Sequence, residues 1–415
     1  MKTSLLILCL IFVVISSCSL SPTALPSNTA IPTEIETSTP IAAFSPVPTE
    51  TIFPTQLPTI SPAVTLQATH DSGFIALLGE QSSSLLGSSL VFSPDGRIIV
   101  QADTSVKLWD VSTHKMIREL KYPDYGIPNA TNHATKVLFS PDGSLMAVSI
   151  TDYFTHLGEP NGHLLVWDVV TGELKQNWEQ RYATMSAYDG YTSDPRIYNI
   201  SVDAMVFFPS STKLAYANGN RIEIKDARTE EEFTSWSLGD TMYASQISIR
   251  DDSQFLYVLM RWFKDLNFPA LYRYKFKAQI WHPATRSLRR EIKFEEVYPR
   301  LGDVRLVGKY LLHQDTIKPA LEALDLSTDE KRDFPYRIGM KYFNTDASLM
   351  LCLRYINNDE IDIEIWKTDT WRNIYSFKTT FSYNVNSVAF SPDNSLLAID
   401  YHGQVYLWHI PIQSD

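Results

Sequence analysis

Cysteine is scarce in this chain: three occur among 415 residues, at Cys9, Cys18 and Cys352. So few cannot build a disulfide framework, so a folded domain here must rest on a buried apolar core. Positive charge is also thin. Lys and Arg number 36 against 47 Asp and Glu, a formal net charge of −11. The densest basic stretch, Arg286, Arg289, Arg290 and Lys293, reads as the solvated face of an outer strand. Binding through phosphate contacts is not expected, which argues against nucleic acid as a partner. The nine His are scattered, with no His-Glu-x-x-His pair and no Cys pair at zinc spacing. No acidic calcium loop, no Gly-x-Ser-x-Gly elbow and no phosphate loop occurs. Neither a metal, a cofactor nor a catalytic residue is expected.

The first long apolar run is short. Residues 1–17 carry one charge, Lys2, followed by an uninterrupted apolar stretch from Leu5 to Ile15. A spanning helix needs about 20 such residues. A basic start, a short apolar core and small residues after it form a signal-peptide pattern. The stretch ends Ile15-Ser16-Ser17-Cys18, which resembles the lipobox of bacterial lipoproteins. The resemblance implies cleavage between Ser17 and Cys18, and a lipid on the Cys18 thiol that fixes the chain to a membrane outside the cytoplasm. Cys9 would leave with the leader, and Cys352, within Leu349-Met350-Leu351-Cys352-Leu353, reads as a small buried hydrophobe.

Residues 18–67 form the second zone. Positions 19–67 hold nine Pro, ten Thr and six Ser, and no Gly, Lys or Arg. No apolar period runs through them, so they read as an extended linker reaching at most about 150 Å at roughly 3.1 Å per residue.

The third zone, 68–415, repeats itself. Val91-Phe92-Ser93-Pro94-Asp95-Gly96 leads to Leu108-Trp109-Asp110, and Leu138-Phe139-Ser140-Pro141-Asp142-Gly143 leads to Val166-Trp167-Asp168. The last copy runs from Ala389-Phe390-Ser391-Pro392-Asp393-Asn394 to Leu407-Trp408-His409. Third-strand markers fall at Trp109, Trp167, Lys225, Trp281, Leu324, Trp366 and Trp408. A unit this short cannot bury its own faces and must stack on its neighbours. The spacing predicts blades near 89–120, 136–178, 204–236, 246–294, 303–334, 340–377 and 386–412. The last lacks a fourth strand, and Gly73-Phe74-Ile75-Ala76-Leu77-Leu78 upstream can supply it, closing the ring.

The Phe-Ser-Pro-Asp-Gly turns and Trp-Asp endings resemble WD40 repeats, without the Gly-His pair that often opens such a repeat. The resemblance implies an all-β fold: a seven-bladed β-propeller of WD40-like four-stranded blades, closed by an N-terminal strand completing the last blade. In such propellers the first-to-second and third-to-fourth turns share one rim. Long segments here fall mostly on the other: Lys121–Thr135, Thr151–Gly162, Glu179–Val202, Phe263–Tyr274 and Tyr355–Glu360. That rim is expected to be the binding face. Its aromatic and polar candidates are Tyr125, Tyr153, Phe154, His156, Tyr188, Tyr191, Trp262, Phe263, Phe268 and Tyr272. Tyr and Trp combine rigid area with a polar edge, which suits a protein or glycan partner. A binding scaffold without catalysis is the leading reading. The alternative is an envelope polysaccharide hydrolase or lyase with carboxylates at the channel mouth, for which only Asp103 and Asp152 suggest themselves. Asp400, His402 and Gly403 read as a polar turn between strands.

Overall fold

The structure, a computed structural model, describes residues 73–79, 88–125, 132–152, 161–181, 185–187, 196–198, 204–209, 212–218, 220–229, 231–238, 243–264, 273–293, 304–314, 320–335, 340–357, 360–381 and 385–411. Cys18, the leader and the linker lie outside these residues. Among the described residues there is no helix, and the strands assemble into seven four-stranded antiparallel sheets plus a two-stranded hairpin. The sheets are the blades of a propeller. Blades 1 to 6 run in chain order over 89–120, 132–181, 205–237, 243–293, 304–335 and 340–379. Blade 7 takes three strands from 385–409 and its fourth, Phe74–Leu78, from the other end of the head.

The register of that closure is explicit. Phe74 pairs with Trp408, Leu77 with Tyr406 and Leu78 with Val405. Leu78 is 1% exposed and packs with Leu90, Phe92, Ile99 and Trp109 of blade 1 and Val405 and Leu407 of blade 7. The N-terminal strand therefore both completes one blade and contributes to the seam with the next.

Each blade is apolar on both faces because each is sandwiched between neighbours. Second strands show this most clearly: Ile98–Ala102, Leu145–Asp152 and Leu349–Asn357 are near-continuous apolar runs, as strands buried on both faces should be. Cys352 lies in the last of these at 1% exposure. All seven markers sit on third strands, and Trp109, Trp167, Trp281, Trp366 and Trp408 are buried. Lys225 fills one tryptophan slot by laying its ammonium over Trp178 and Tyr216 and pairing with Glu223 at 3.2 Å.

The turn motif has a mechanical reason for its Ser, Asp and Gly. Ser140 Oγ donates to Asp142 Oδ1 at 2.6 Å and accepts from the Leu145 amide at 2.9 Å. Asp142 also accepts from the amide of Ser144 at 3.0 Å. Gly143 then sits at φ 71°, where a side chain is disfavoured. Blades 1 and 7 repeat the arrangement with Ser93–Asp95 and Ser391–Asp393. In blade 6 Asn344 replaces the serine, accepting from the Leu349 amide at 2.9 Å, and Ala347 takes the left-handed position at φ 58°. Relieving that strain with Ala347→Gly is expected to stabilise the protein by about 0.5–1 kcal/mol. A thermal or urea melt checks this, and an unchanged or lowered midpoint refutes it.

The Asp of each Trp-Asp ending is a turn brace. Asp168 accepts from the Thr171 amide at 2.8 Å, and Asp110 from the Thr113 amide at 2.7 Å. The Thr171 hydrogen bond, acting against partial desolvation, holds Asp168 below the usual carboxylate range. The Ser140 hydroxyl, Ser144 and the Arg228 guanidinium do the same for Asp142. Groups with lowered folded values stabilise above their unfolded pKa of about 3.9 and lose that contribution as pH falls through the folded value. The urea midpoint is therefore expected to drop between pH 5 and pH 3. The double variant Asp142→Asn, Asp168→Asn should flatten that slope. An equal slope in wild type and variant would show that these turns do not carry it.

Candidate binding face

Strand direction separates the two rims. First-to-second and third-to-fourth connections lie on one, and none of them exceeds six residues between strand ends. Second-to-third and interblade connections lie on the other, and these include all the long ones. The connection between Arg181 and Met205 carries its own hairpin, Met185–Ala187 paired with Arg196–Tyr198.

All five expected insertions prove partly to be strand. In blade 4 the pairing continues to Lys264↔Arg273, and in blade 2 to Asn132↔Asp152 and Thr151↔Gly162. In blade 6 Asn357 pairs with Glu360, so Tyr355–Glu360 is a tight hairpin end. The polar and aromatic residues at these strand ends read as loop by hydropathy alone. Gly162-His163 lies inside the third strand Asn161–Asp168.

Of the candidate residues, Tyr125 is described in full. Its ring stacks on His163 of blade 2 with centroids 3.8 Å apart and planes at 17°. Its hydroxyl donates to Asn177 Oδ1 at 3.4 Å, and His163 Nδ1 lies 2.9 Å from the same oxygen. Burial pushes the Tyr125 hydroxyl up to about 12 and holds His163 below its ordinary value, so the stacked pair is neutral at pH 7. Tyr122, from the same connection, donates to the Asp103 carbonyl at 2.8 Å. Both tyrosines pin the blade 1–2 connection to the propeller. Trp262 and Phe263 lie on the second strand of blade 4, paired with Lys275 and Tyr274. Tyr153, Phe154, His156, Tyr188, Tyr191, Phe268 and Tyr272 lie outside the described residues.

Below this rim lies a polar network. Asp400 is fully buried. It accepts from Gln101 Nε2 at 2.6 Å, Ser88 Oγ at 2.7 Å, the Gly403 amide at 3.1 Å and Asn386 Nδ2 at 3.2 Å. Gln101 also donates to the Gly403 carbonyl at 2.9 Å. His402 and Gly403 form the two-residue hairpin turn, both at positive φ. Asp400 itself is no turn residue but the hub between blades 7 and 1. Asp103, read as half of a carboxylate pair, faces His133 Nδ1 at 3.3 Å. Neither cluster was visible as a unit in the sequence, since Gln101 and Asp400 meet only through ring closure. Among the described residues no three of His, Cys, Asp and Glu converge in a way that could hold a metal ion.

The WD domain, G-beta repeat family matches the chain at residues 78–110 and 371–409. These two segments are cyclic neighbours, because Leu78 lies on the strand that completes the blade of the second. No curated protein matches. Among solved structures, the Myceliophteria thermophila Swd1 beta-propeller domain is similar with a TM-score of 0.55 at 14% identity. That alignment covers 82% of this chain and 99% of the other. A chain of the mitotic checkpoint complex is similar with a TM-score of 0.53 at 12% identity, covering 81% and 95%. Propellers of this type serve in general as scaffolds for protein interaction. Fold, strand closure and the matched repeats together identify this chain as a divergent WD40-like β-propeller.

Proposed function

We propose that the protein is an extracytoplasmic binding scaffold, anchored to a bacterial membrane through lipid on Cys18 and held off it by residues 18–67. The rim with the long connections recognises a protein or glycan partner, without catalysis. One observation carries the orientation. The closing strand begins at Phe74 beside Trp408, and the Gly73 carbonyl accepts from the His409 amide at 2.8 Å. Residue 73 therefore sits on the rim of tight turns, where third strands end. Attachment at residue 73 favours the opposite rim, with the long connections, as the partner-facing one.

The full chain, expressed in a bacterial host and solubilised in detergent, is used as bait against envelope extract. Exchanging residues 265–272 and 153–160 for two-residue turns that copy His402-Gly403 keeps the paired strand ends intact. Capture is expected to fall at least tenfold. If every captured partner is retained, the rim assignment fails. Cys18→Ser should move the chain from the membrane to the soluble fraction, and continued membrane retention would refute the anchor.

A further inference from the structure

On the tight-turn rim, one fourth-strand position recurs at the seams between blades, and blade 3 fills it with a short polar residue. The residue before each third-strand marker pairs with a fourth-strand residue: Arg118, Gln176, Thr234, Arg290, Arg332, Tyr375 and, on the closing strand, Ala76. Most are long and several cross to the next blade. Arg118 donates to the Val170 carbonyl at 3.1 Å and Gln176 to the Arg228 carbonyl at 3.1 Å. Arg290 pairs with Asp329 of blade 5, and the Tyr375 hydroxyl lies against Gly73 of blade 7. Ala76 is short, but it and Val111 of blade 1 both pack against the apolar cluster at that seam. In blade 3 the position is Thr234, which makes no hydrogen bond to blade 4 among the described residues.

A cavity of about 600 Å³ stands there, within the usual range for ligand sites of about 300–1,000 Å³. Blade 4 contributes Ser253, Pro283, Ala284 and Arg286 to its wall. Ala284 occupies the turn position that Val170 and Arg228 hold in blades 2 and 3, the two carbonyls that the long side chains reach elsewhere. Blade 3 contributes Glu232, Phe233, Thr234 and Ser235. Alternate strand residues point to opposite faces, so four consecutive lining residues bring the main chain of this strand into the wall. The strand, Glu232–Ser237, is the outer edge of its sheet. Phe233 is 40% exposed, with the Lys213 ammonium 3.8 Å from its ring centroid. Among the described residues the wall carries two cations, Lys213 and Arg286, and one carboxylate, Glu232, in a chain of net charge −11.

We infer that this cleft between blades 3 and 4 is a second binding site, taking an extended acidic segment of a partner protein. The segment lies along the open edge of Glu232–Ser237, as added strands do. An apolar side chain enters beside Phe233 and Pro283, and an acidic one meets Arg286 and Lys213. This site is independent of the long-connection rim and lies on the opposite side of the ring.

Fluorescein-labelled heptapeptides alternating leucine with aspartate serve as probe, and leucine–lysine peptides as control, titrated by anisotropy against the full chain. The acidic series is expected to bind at least tenfold tighter. Thr234→Arg, which restores the crossing side chain, should weaken it at least tenfold with a melting temperature equal to or above wild type. Arg286→Glu should reverse the preference toward the lysine series, a result that unfolding cannot produce. Equal binding of both series by wild type, or undiminished binding by a folded Thr234→Arg variant, overturns the assignment. So does an Arg286→Glu variant that keeps the wild-type preference.

Discussion

Replacing Asp400 with alanine is expected to destabilise the protein by about 3–5 kcal/mol, among the largest effects of any single polar substitution here. The carboxylate is fully buried and accepts four hydrogen bonds, two from blade 1 or the connection leading into it and two from blade 7. Alanine strands the buried Gln101 amide and Gly403 N–H away from water, and a buried unmatched donor costs about 1–3 kcal/mol. Asp400→Asn keeps the shape but offers one carbonyl oxygen in place of two. Whichever oxygen the amide nitrogen replaces, its hydrogens face two groups that donate in the wild type, so a loss of about 2 kcal/mol is expected. Urea unfolding followed by tryptophan fluorescence measures both. A loss under about 1 kcal/mol for the alanine variant would show that the closure does not depend on this hub.

The second large effect lies at the outer end of the same seam. A chain begun at residue 80 lacks Phe74–Leu78, so Gln404–His409 becomes a free edge and the apolar cluster around Trp109 opens. Free edges of apolar strands invite pairing with other chains. The shortened chain is expected to self-associate and lose a single cooperative melt, while a chain begun at residue 73 behaves as the full protein. Leu78→Ala, a milder probe at a 1% exposed site, should cost about 2–4 kcal/mol. Size-exclusion chromatography and calorimetry decide the matter. A monomeric, normally melting chain without residues 73–79 would refute the closing role.

Much of this architecture was legible because its signals are local. Ser-Pro-Asp-Gly specifies its own turn through contacts spanning five residues, and Trp-Asp braces the next one. Blade boundaries followed to within a few residues, and the closing strand followed from the missing fourth strand of the last blade. What the sequence hid is what only the ring brings together. The donors to Asp400 from Ser88 and Gln101 are about 300 residues away in the chain. Tyr125 was recognisable as a rim residue, but its stacking on His163 needed the neighbouring blade. Ala347 was hidden for another reason: nothing in Asn344-Thr345-Asp346-Ala347 announces a left-handed turn that blades 1, 2 and 7 give to glycine or asparagine. The cleft beside Thr234 shows only when the seven fourth strands are laid in register and one side chain falls short.

The place where residue 73 joins the head has a mechanical consequence. The closing strand begins at Phe74 on the tight-turn rim. Tension applied through residue 73 and resisted at the opposite rim runs parallel to Phe74–Leu78. The ladder to Gln404–His409 is then loaded in shear, so its hydrogen bonds share the force instead of parting one after another. A ring clasped in this direction resists being pulled from its root better than its five-residue latch would suggest.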